Sequence, residues 1–418
     1  MLKPSILLAV ATAGTVAVSL PNGDDYGCTG ADCPRQHAFK SIQLGPRPYF
    51  LVNNMDEGRL KEKLASCSEM TFKPSKFSIG HRGGGTLQFP EHSVESNLAG
   101  ARMGAAILEC DVTFTKDKKL VCRHDQCDLH TSTNIVNTTL NAKCTTPFTP
   151  AADGKPAIAK CCTSDITLAE FKTLCGKMDA FNPNATTPGA FLGNTPNFRT
   201  DLYSTCGTVM THAEHIKLID SLGLDFTPEL KTPVVKMPFD GYTQEKFAQD
   251  VINDYKAAGI SPSRVWTQSF LYADILYLLK KEPAFGAQAV FLDESAGDAT
   301  DFPAAVKNLT KYAKDGVRIV APPLYYLVEE KGGRIVPSAY ATAAKKNGLD
   351  IITWTLERSG FLGDGSHGSY YYTSIANLTN NDGDAFNLLH VLAKDVGVLG
   401  VFSDWAATAT YYANCFGI

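Results

Sequence analysis

The chain has 418 residues, 44% hydrophobic and 20% charged, with a formal net charge of −4. At ~150 residues per domain this length leads to an expectation of two to three domains, or of one α/β barrel carrying an insertion. The apolar share supports a large core and excludes wholesale disorder, and the near-neutral balance excludes a sequence-independent nucleic-acid binder, which needs a basic face.

Residues 1–19, MLKPSILLAVATAGTVAVS, put one cation, Lys3, before an uncharged apolar run with small residues at Ala17 and Ser19. That pattern predicts a secretory signal peptide cleaved near Ser19, and the run is short for a membrane span. The 12 cysteines agree with export, and five of them (Cys144, Cys161, Cys162, Cys175 and Cys206) fall between positions 140 and 210. No Cys-x-x-Cys pair has a matching His or Cys pair, so disulfides are expected rather than zinc, with a connectivity that the spacing does not fix. Sequons at Asn137, Asn184, Asn308 and Asn377 are candidate glycosylation sites. The C-terminal YYANCFGI lacks the hydrophobic tail of a lipid-anchor signal. The expected product is extracellular, without a stable membrane anchor.

Residues 20–75 carry Cys28, Cys33 and Cys67 in turn-rich, aperiodic text and read as an N-terminal extension packed on the main body. From residue 76 to 418, short apolar runs alternate with amphipathic stretches. The runs are KFSIG (76–80), AAILECDV (105–112), LDFTPEL (224–230), RVWTQSF (264–270), AVFLD (289–293), VRIVA (317–321), DIITWTL (350–356) and GVLGVFS (397–403). Between two of them, YTQEKFAQDVINDYKAAG repeats Phe247, Val251 and Tyr255 at helical spacing. Eight strands separated by helices predict a (β/α)₈ TIM barrel. A ninth run, KLVCRHD (119–125), follows the second after only Thr115-Lys116-Asp117-Lys118. Parallel crossovers need a dozen residues or more, so this pair is an antiparallel hairpin outside the parallel count. The interval 126–223 before the third strand is too long for a loop and holds five of the cysteines in its middle, so it reads as a cysteine-rich insertion.

Active sites of such barrels lie at the C-terminal strand ends. Strand one ends in Gly80-His81-Arg82-Gly83, and strand two carries Glu109-Cys110-Asp111, whose alternation puts both carboxylates on one face and Cys110 on the other. The hairpin returns to His124, strand three ends in Glu229-Leu230-Lys231, strand four in Gln268-Ser269-Phe270, and strand seven carries Trp354. Three carboxylates offer hard oxygen ligands for one divalent ion, Mg²⁺ or Ca²⁺. Arg82 and Lys231 suit a phosphate, and two histidines suit proton transfer near neutrality. Together these favour phosphodiester cleavage over sugar or peptide hydrolysis.

His81-Arg82-Gly83, Pro90-Glu91-His92-Ser93 with Asn97, Glu109-x-Asp111, Thr115-Lys116-Asp117, Leu120-Val121 and His124-Asp125 form an ordered block that resembles the glycerophosphodiester phosphodiesterase family. Thr167 to Lys172, Glu229-Leu230-Lys231, Ser269-Phe270, Trp354-Thr355 and Gly400-Val401-Phe402-Ser403-Asp404 continue the resemblance to about residue 410. It implies a barrel that uses one divalent metal to hydrolyse glycerophosphodiesters, small-molecule substrates, to glycerol 3-phosphate and an alcohol. On that resemblance His81 and His124 are the acid/base pair, Glu109, Asp111 and Glu229 hold the metal, and Arg82 and Lys231 bind phosphate. Phe270 and Trp354 line the glycerol or headgroup side. Three departures stand out. Pro-Glu-His-Ser replaces the usual Pro-Glu-Asn-Thr, which brings His92 near the site as a loop-bonding residue; Ser403-Asp404 replaces Thr-Asp; and the insertion is long. Two alternatives remain at this point: a phospholipase D-like enzyme acting on lysophospholipid or sphingolipid, and a catalytically silent cell-surface or cell-wall binding barrel.

Overall fold

The structure is a computed structural model describing residues 39, 41–203, 205–297 and 302–418. The expected signal peptide at 1–19, together with Cys28 and Cys33, lies outside the described residues. Nine strands build the main sheet: β1 (Ser75–Gly80), β2 (Ala105–Phe114), β3 (Leu120–Cys122), β4 (Asp225–Leu230), β5 (Gln268–Ser269), β6 (Val290–Leu292), β7 (Ile319–Ala321), β8 (Asp350–Leu356) and β9 (Gly400–Ser403). Their order is β1-β9-β8-β7-β6-β5-β4-β2-β3, and β1 also pairs with β2, which closes eight parallel strands into a barrel. Strand β3 is antiparallel to β2, with Val112 opposite Cys122, so the four-residue turn does make a hairpin outside the barrel.

Side-chain alternation along each strand divides two cores. Ile79, Ile107, Val290, Leu292, Ile319, Ala321, Ile352 and Phe402 fill the barrel interior. The intervening positions, among them Leu108, Cys110, Val112, Phe226, Leu230, Val320 and Val401, join the larger core beneath the helices. Each large aliphatic side chain so buried contributes about 1.5–3 kcal/mol. The helix Gln244–Ala257 buries Phe247, Val251 and Tyr255 as its spacing requires, and Thr243 caps it by accepting from the Lys246 amide.

Two regions differ from the reading of the sequence. The stretch taken as aperiodic contains α1 (Arg47–Asn54) and α2 (Arg59–Ala65), too short for a periodic signal. Leu51, Val52 and Leu64 bury there, Tyr411 donates to the Leu64 carbonyl, and a Cys67–Cys415 disulfide ties the segment to the C-terminal helix. The interval 126–223 is not all insertion. Its last helix, α3 (His212–Ser221), belongs to the barrel wall, packing on β2, β4 and the helix after β4. Two of its inward positions are His212 and His215, bonded to Asp254 and Asn97, which hid the apolar stripe. The insertion before it has its own core, including Leu129, Ile135, Phe171 and Phe191. It is stapled by Cys127–Cys162, Cys144–Cys161 and Cys175–Cys206. Closing loops of such lengths contributes about 3 kcal/mol each in the chain-entropy picture. Among the described residues no helix is long and apolar enough to cross a membrane.

Candidate active site

All nine residues singled out for chemistry line one cavity: His81, Arg82, Glu109, Asp111, His124, Glu229, Lys231, Phe270 and Trp354. Gln268, Leu292, Tyr371 and Phe402 complete its wall. The barrel register explains the convergence. Asp111 on β2 stands opposite Glu229 on β4, and Glu229 opposite Gln268 on β5, so three inward polar side chains share one level. Cys110, between the two β2 carboxylates, points outward and is bonded to Cys122, which fastens the hairpin carrying His124 to the strand carrying Glu109 and Asp111. Those cysteines also approach His215, but as a disulfide they offer no thiolate to a metal.

Carboxylate oxygens of Glu109, Asp111 and Glu229 lie within 4.8 Å of one another. Glu109 is held on both oxygens, by Gln268 Nε2 at 2.7 Å and by the Arg82 amide at 2.8 Å. His92 Nε2 meets Asp111 Oδ2 at 2.9 Å, while Asp111 Oδ1 is buried with no hydrogen-bond partner. Lys231 Nζ lies 2.7 Å from Glu229. Burial, opposed by Lys231 and reinforced by Asp111, pushes the Glu229 carboxyl up to about 8. Burial together with its two acidic neighbours also raises Glu109 well above the carboxylate range. Against the effect of burial, Lys231 and His92 hold Asp111 well below that range. Three buried acids this close repel one another, and an orphaned lone pair faces into them; both features fit a divalent cation with oxygen ligands.

His81 is 8% exposed. Its Nδ1 lies 2.6 Å from Asp404 Oδ1 and its Nε2 3.9 Å from Glu109 Oε2. Burial outweighs Asp404 and lowers the ring to about 4, so it is neutral at pH 7. Asp404 stays ionised despite burial because Arg358, His81 and Arg199 surround it. An ionised acceptor at Nδ1 selects the Nδ1–H tautomer, which leaves Nε2 bare on the cavity side. Burial, Arg82 and Lys231 likewise depress His124, which is half-buried on the opposite strand end. Arg82 sits in the left-handed region at φ 50° and donates from Nη1 to Glu91 at 2.8 Å. The tight turn depends on Gly83 at φ 107°, where a Cβ would meet Ser96 Oγ at 2.6 Å and the Asn97 amide at 2.9 Å. Phe270, Trp354 and Tyr371 form edge-to-face pairs, with centroids 5.8 and 5.9 Å apart, along the apolar side of the cavity.

Among the wall residues, Gln268 stands at a strand end in the sequence but carries no role there. Asp404, Glu91, Arg358, Arg199 and Tyr371 were not assigned. Asp404 and Glu91 lie inside the family motifs, whereas Arg199 and Arg358 come from loops and Tyr371 from the short 3₁₀ segment Ser369–Leu378, none with an apolar period to mark it. The sequon residues Asn137, Asn184 and Asn377 are exposed, Asn308 is half-buried, and none lines the cavity.

A (β/α)₈ barrel whose C-terminal mouth gathers three acids, two cations and two histidines is built as a phosphodiesterase. The Glycerophosphoryl diester phosphodiesterase family profile matches residues 81–408. The chain belongs to that family and is a phosphodiesterase enzyme. It is 46% identical over 245 residues to a protein of Arthroderma benhamiae called "Extracellular protein", a match spanning 58% of this chain and all of that one. A crystal structure from Silicibacter pomeroyi, assigned as a glycerophosphoryl diester phosphodiesterase, superposes with a TM-score of 0.54 at 17% identity. It covers 85% of this chain and 98% of that one, which shows a shared fold.

Proposed function

We propose that the protein is a secreted, metal-dependent hydrolase that converts glycerophosphodiesters into glycerol 3-phosphate and an alcohol, with His81 and His124 as the acid/base pair. The observation that carries this reading is the single cavity in which Glu109, Asp111 and Glu229 face Arg82, Lys231 and both histidines. Glu109, Asp111 and Glu229 would hold Mg²⁺ or Ca²⁺, which when bound polarises the phosphate and neutralises its charge. Arg82 and Lys231 bind the non-bridging oxygens. The bare Nε2 of His81 takes the proton of the nucleophile, either water or the substrate's own glycerol hydroxyl. Burial, together with Arg82 and Lys231, holds His124 below its usual range in the free protein. A bound phosphate offsets the charge of those two cations, and His124 is the group that delivers a proton to the departing alcohol oxygen. Phe270, Trp354 and Tyr371 cover the carbon skeleton and exclude water.

Export is supported by the N-terminal pattern, five disulfides among the described residues and the name of the Arthroderma relative. With export, Asn137, Asn184, Asn308 and Asn377 become candidate glycan acceptors. One observation favours the lysophospholipid reading as runner-up: Phe50, Leu202 and Tyr203 are 52%, 65% and 50% exposed around a groove shared with Phe198 and Trp405. Parallel assays of glycerophosphocholine and lysophosphatidylcholine separate the two. Choline release from the former, accompanied by glycerol 3-phosphate and faster than choline release from the latter, supports the proposal; turnover of the lysophospholipid alone contradicts it.

A further inference from the structure

The cysteine-rich insertion reaches the back of the active site. Its segment around Arg199 is seated between the loops that follow β1 and β8. The Thr200 amide donates to the Leu87 carbonyl at 3.0 Å, Tyr203 stacks on Phe89 at 4.8 Å, and Phe198 meets Phe361 edge-on at 6.4 Å. The Cys175–Cys206 disulfide anchors the same stretch to the insertion core. So placed, Arg199 keeps only 6% of its side chain exposed and sets Nη2 3.4 Å from Asp404 Oδ2.

Asp404 Oδ2 receives a second guanidinium, Arg358 Nη1 at 3.2 Å. Arg358 is shared, however, because its Nη2 lies 3.0 Å from Glu91 and 3.8 Å from Asp179. Arg82 also bonds Glu91. Arg82 and Arg358 are thus each divided among several carboxylates, Arg82 between Glu91 and Asp111 and Arg358 among Glu91, Asp179 and Asp404. Arg199 adds a further positive charge beside Asp404. That charge keeps the carboxylate from drawing the Nδ1 proton off His81, and it pins Oδ2 so that Oδ1 stays turned toward the ring.

We propose that Arg199, supplied by the insertion, is a positioning residue for His81, acting through Asp404 to hold the ring with Nδ1 protonated and Nε2 bare toward the cavity. The inference rests on the reading of His81 as the proton acceptor, but its geometric half can be tested without turnover. The probe is the downfield proton resonance of a hydrogen-bonded histidine Nδ1–H, assigned to His81 by its loss in His81→Ala. The wild-type protein should show it and Asp404→Asn should lack it. In Arg199→Ala it should broaden or vanish, and in Arg199→Lys it should return in part.

Kinetics on glycerophosphocholine supply the second readout. Arg199→Ala should lower kcat roughly 10–100-fold, the usual cost of removing an orienting partner, with KM within about threefold. Arg199→Lys should recover part of the loss. In an Asp404→Asn background Arg199→Ala should cost nothing further, because both act on one ring. Thermal melts check folding, and if the alanine variant fails to fold, Arg199→Gln and Arg199→Lys carry the test. An unchanged resonance with unchanged kcat overturns the proposal. So does an effect on KM alone, which would make Arg199 a substrate-binding group, and so does a full additive loss in the Asp404→Asn background. If wild-type protein turns over no glycerophosphodiester, the functional reading fails, while the resonance still decides the role of Arg199.

Discussion

Glu91 is the keystone of the buried ion network behind the Arg82 side of the cavity, and replacing it with Gln gives a sharp test. Its Oε2 sits 2.8 Å from Arg82 Nη1 and 3.0 Å from Arg358 Nη2, and its carbonyl accepts from Arg123 Nη2 at 2.7 Å. At an effective dielectric near 20 each charge contact is worth about 6 kcal/mol of attraction, set against several kcal/mol of desolvation per ion. Glu91→Gln keeps the shape but leaves two buried guanidinium groups short of an anion, so the expected loss is about 3–5 kcal/mol. Against the effect of burial, Arg82 and Arg358 hold the Glu91 carboxyl well below its usual range. The folded protein therefore binds this proton more weakly than the unfolded chain does. The stabilisation is fully present above the unfolded value, about 4.3, and disappears as pH falls through the lower folded value. Urea unfolding of wild type and variant from pH 3 to 8 should show a constant gap from pH 5 upward that narrows in acid. A gap below about 1 kcal/mol at pH 7, or one that does not narrow in acid, would refute the assignment of Glu91 as the shared anion.

Three further outcomes are expected. Replacing both Cys110 and Cys122 with Ser frees the hairpin, lowering stability by about 2–3 kcal/mol. The same change should reduce kcat more than it raises KM, because His124 lies just beyond the bridge; urea melts and steady-state kinetics read the two effects. Gln268→Ala removes the donor that orients Glu109 and should weaken divalent-ion affinity roughly 10–100-fold by titration calorimetry, with little change in melting temperature of the metal-free protein. Ile107→Ala opens a cavity in the barrel interior, two residues before Glu109, and should cost about 2–5 kcal/mol in urea unfolding.

Much of this architecture was legible because barrels impose simple patterns. Eight short apolar runs, a four-residue turn too tight for a crossover, and the alternation Glu109-Cys110-Asp111 each constrain geometry through sterics and strand period alone. From the motif block, His81, Arg82, Glu109, Asp111 and His124 meet on one cavity wall, and His92 reads in the sequence as a loop-bonding residue. It does sit buried, but its partner is the Asp111 carboxylate, a contact that no local spacing encodes. What stayed hidden depends on tertiary placement. Histidines at inward positions masked α3, and two short helices near the N-terminus gave too few residues for a period. The arginines at 199 and 358 reach Asp404 from loops distant in sequence, one of them inside the insertion, so only the fold brings them together.

The most direct test of the central claim is release of glycerol 3-phosphate from glycerophosphocholine and glycerophosphoinositol by the metal-loaded protein, with and without EDTA and beside His81→Ala. Carboxylate-held metal and a proton-accepting His81 predict release that chelator abolishes, that Mg²⁺ or Ca²⁺ restores, and that falls to background in the variant. Release that is indifferent to chelator, or undiminished in His81→Ala, would contradict the account.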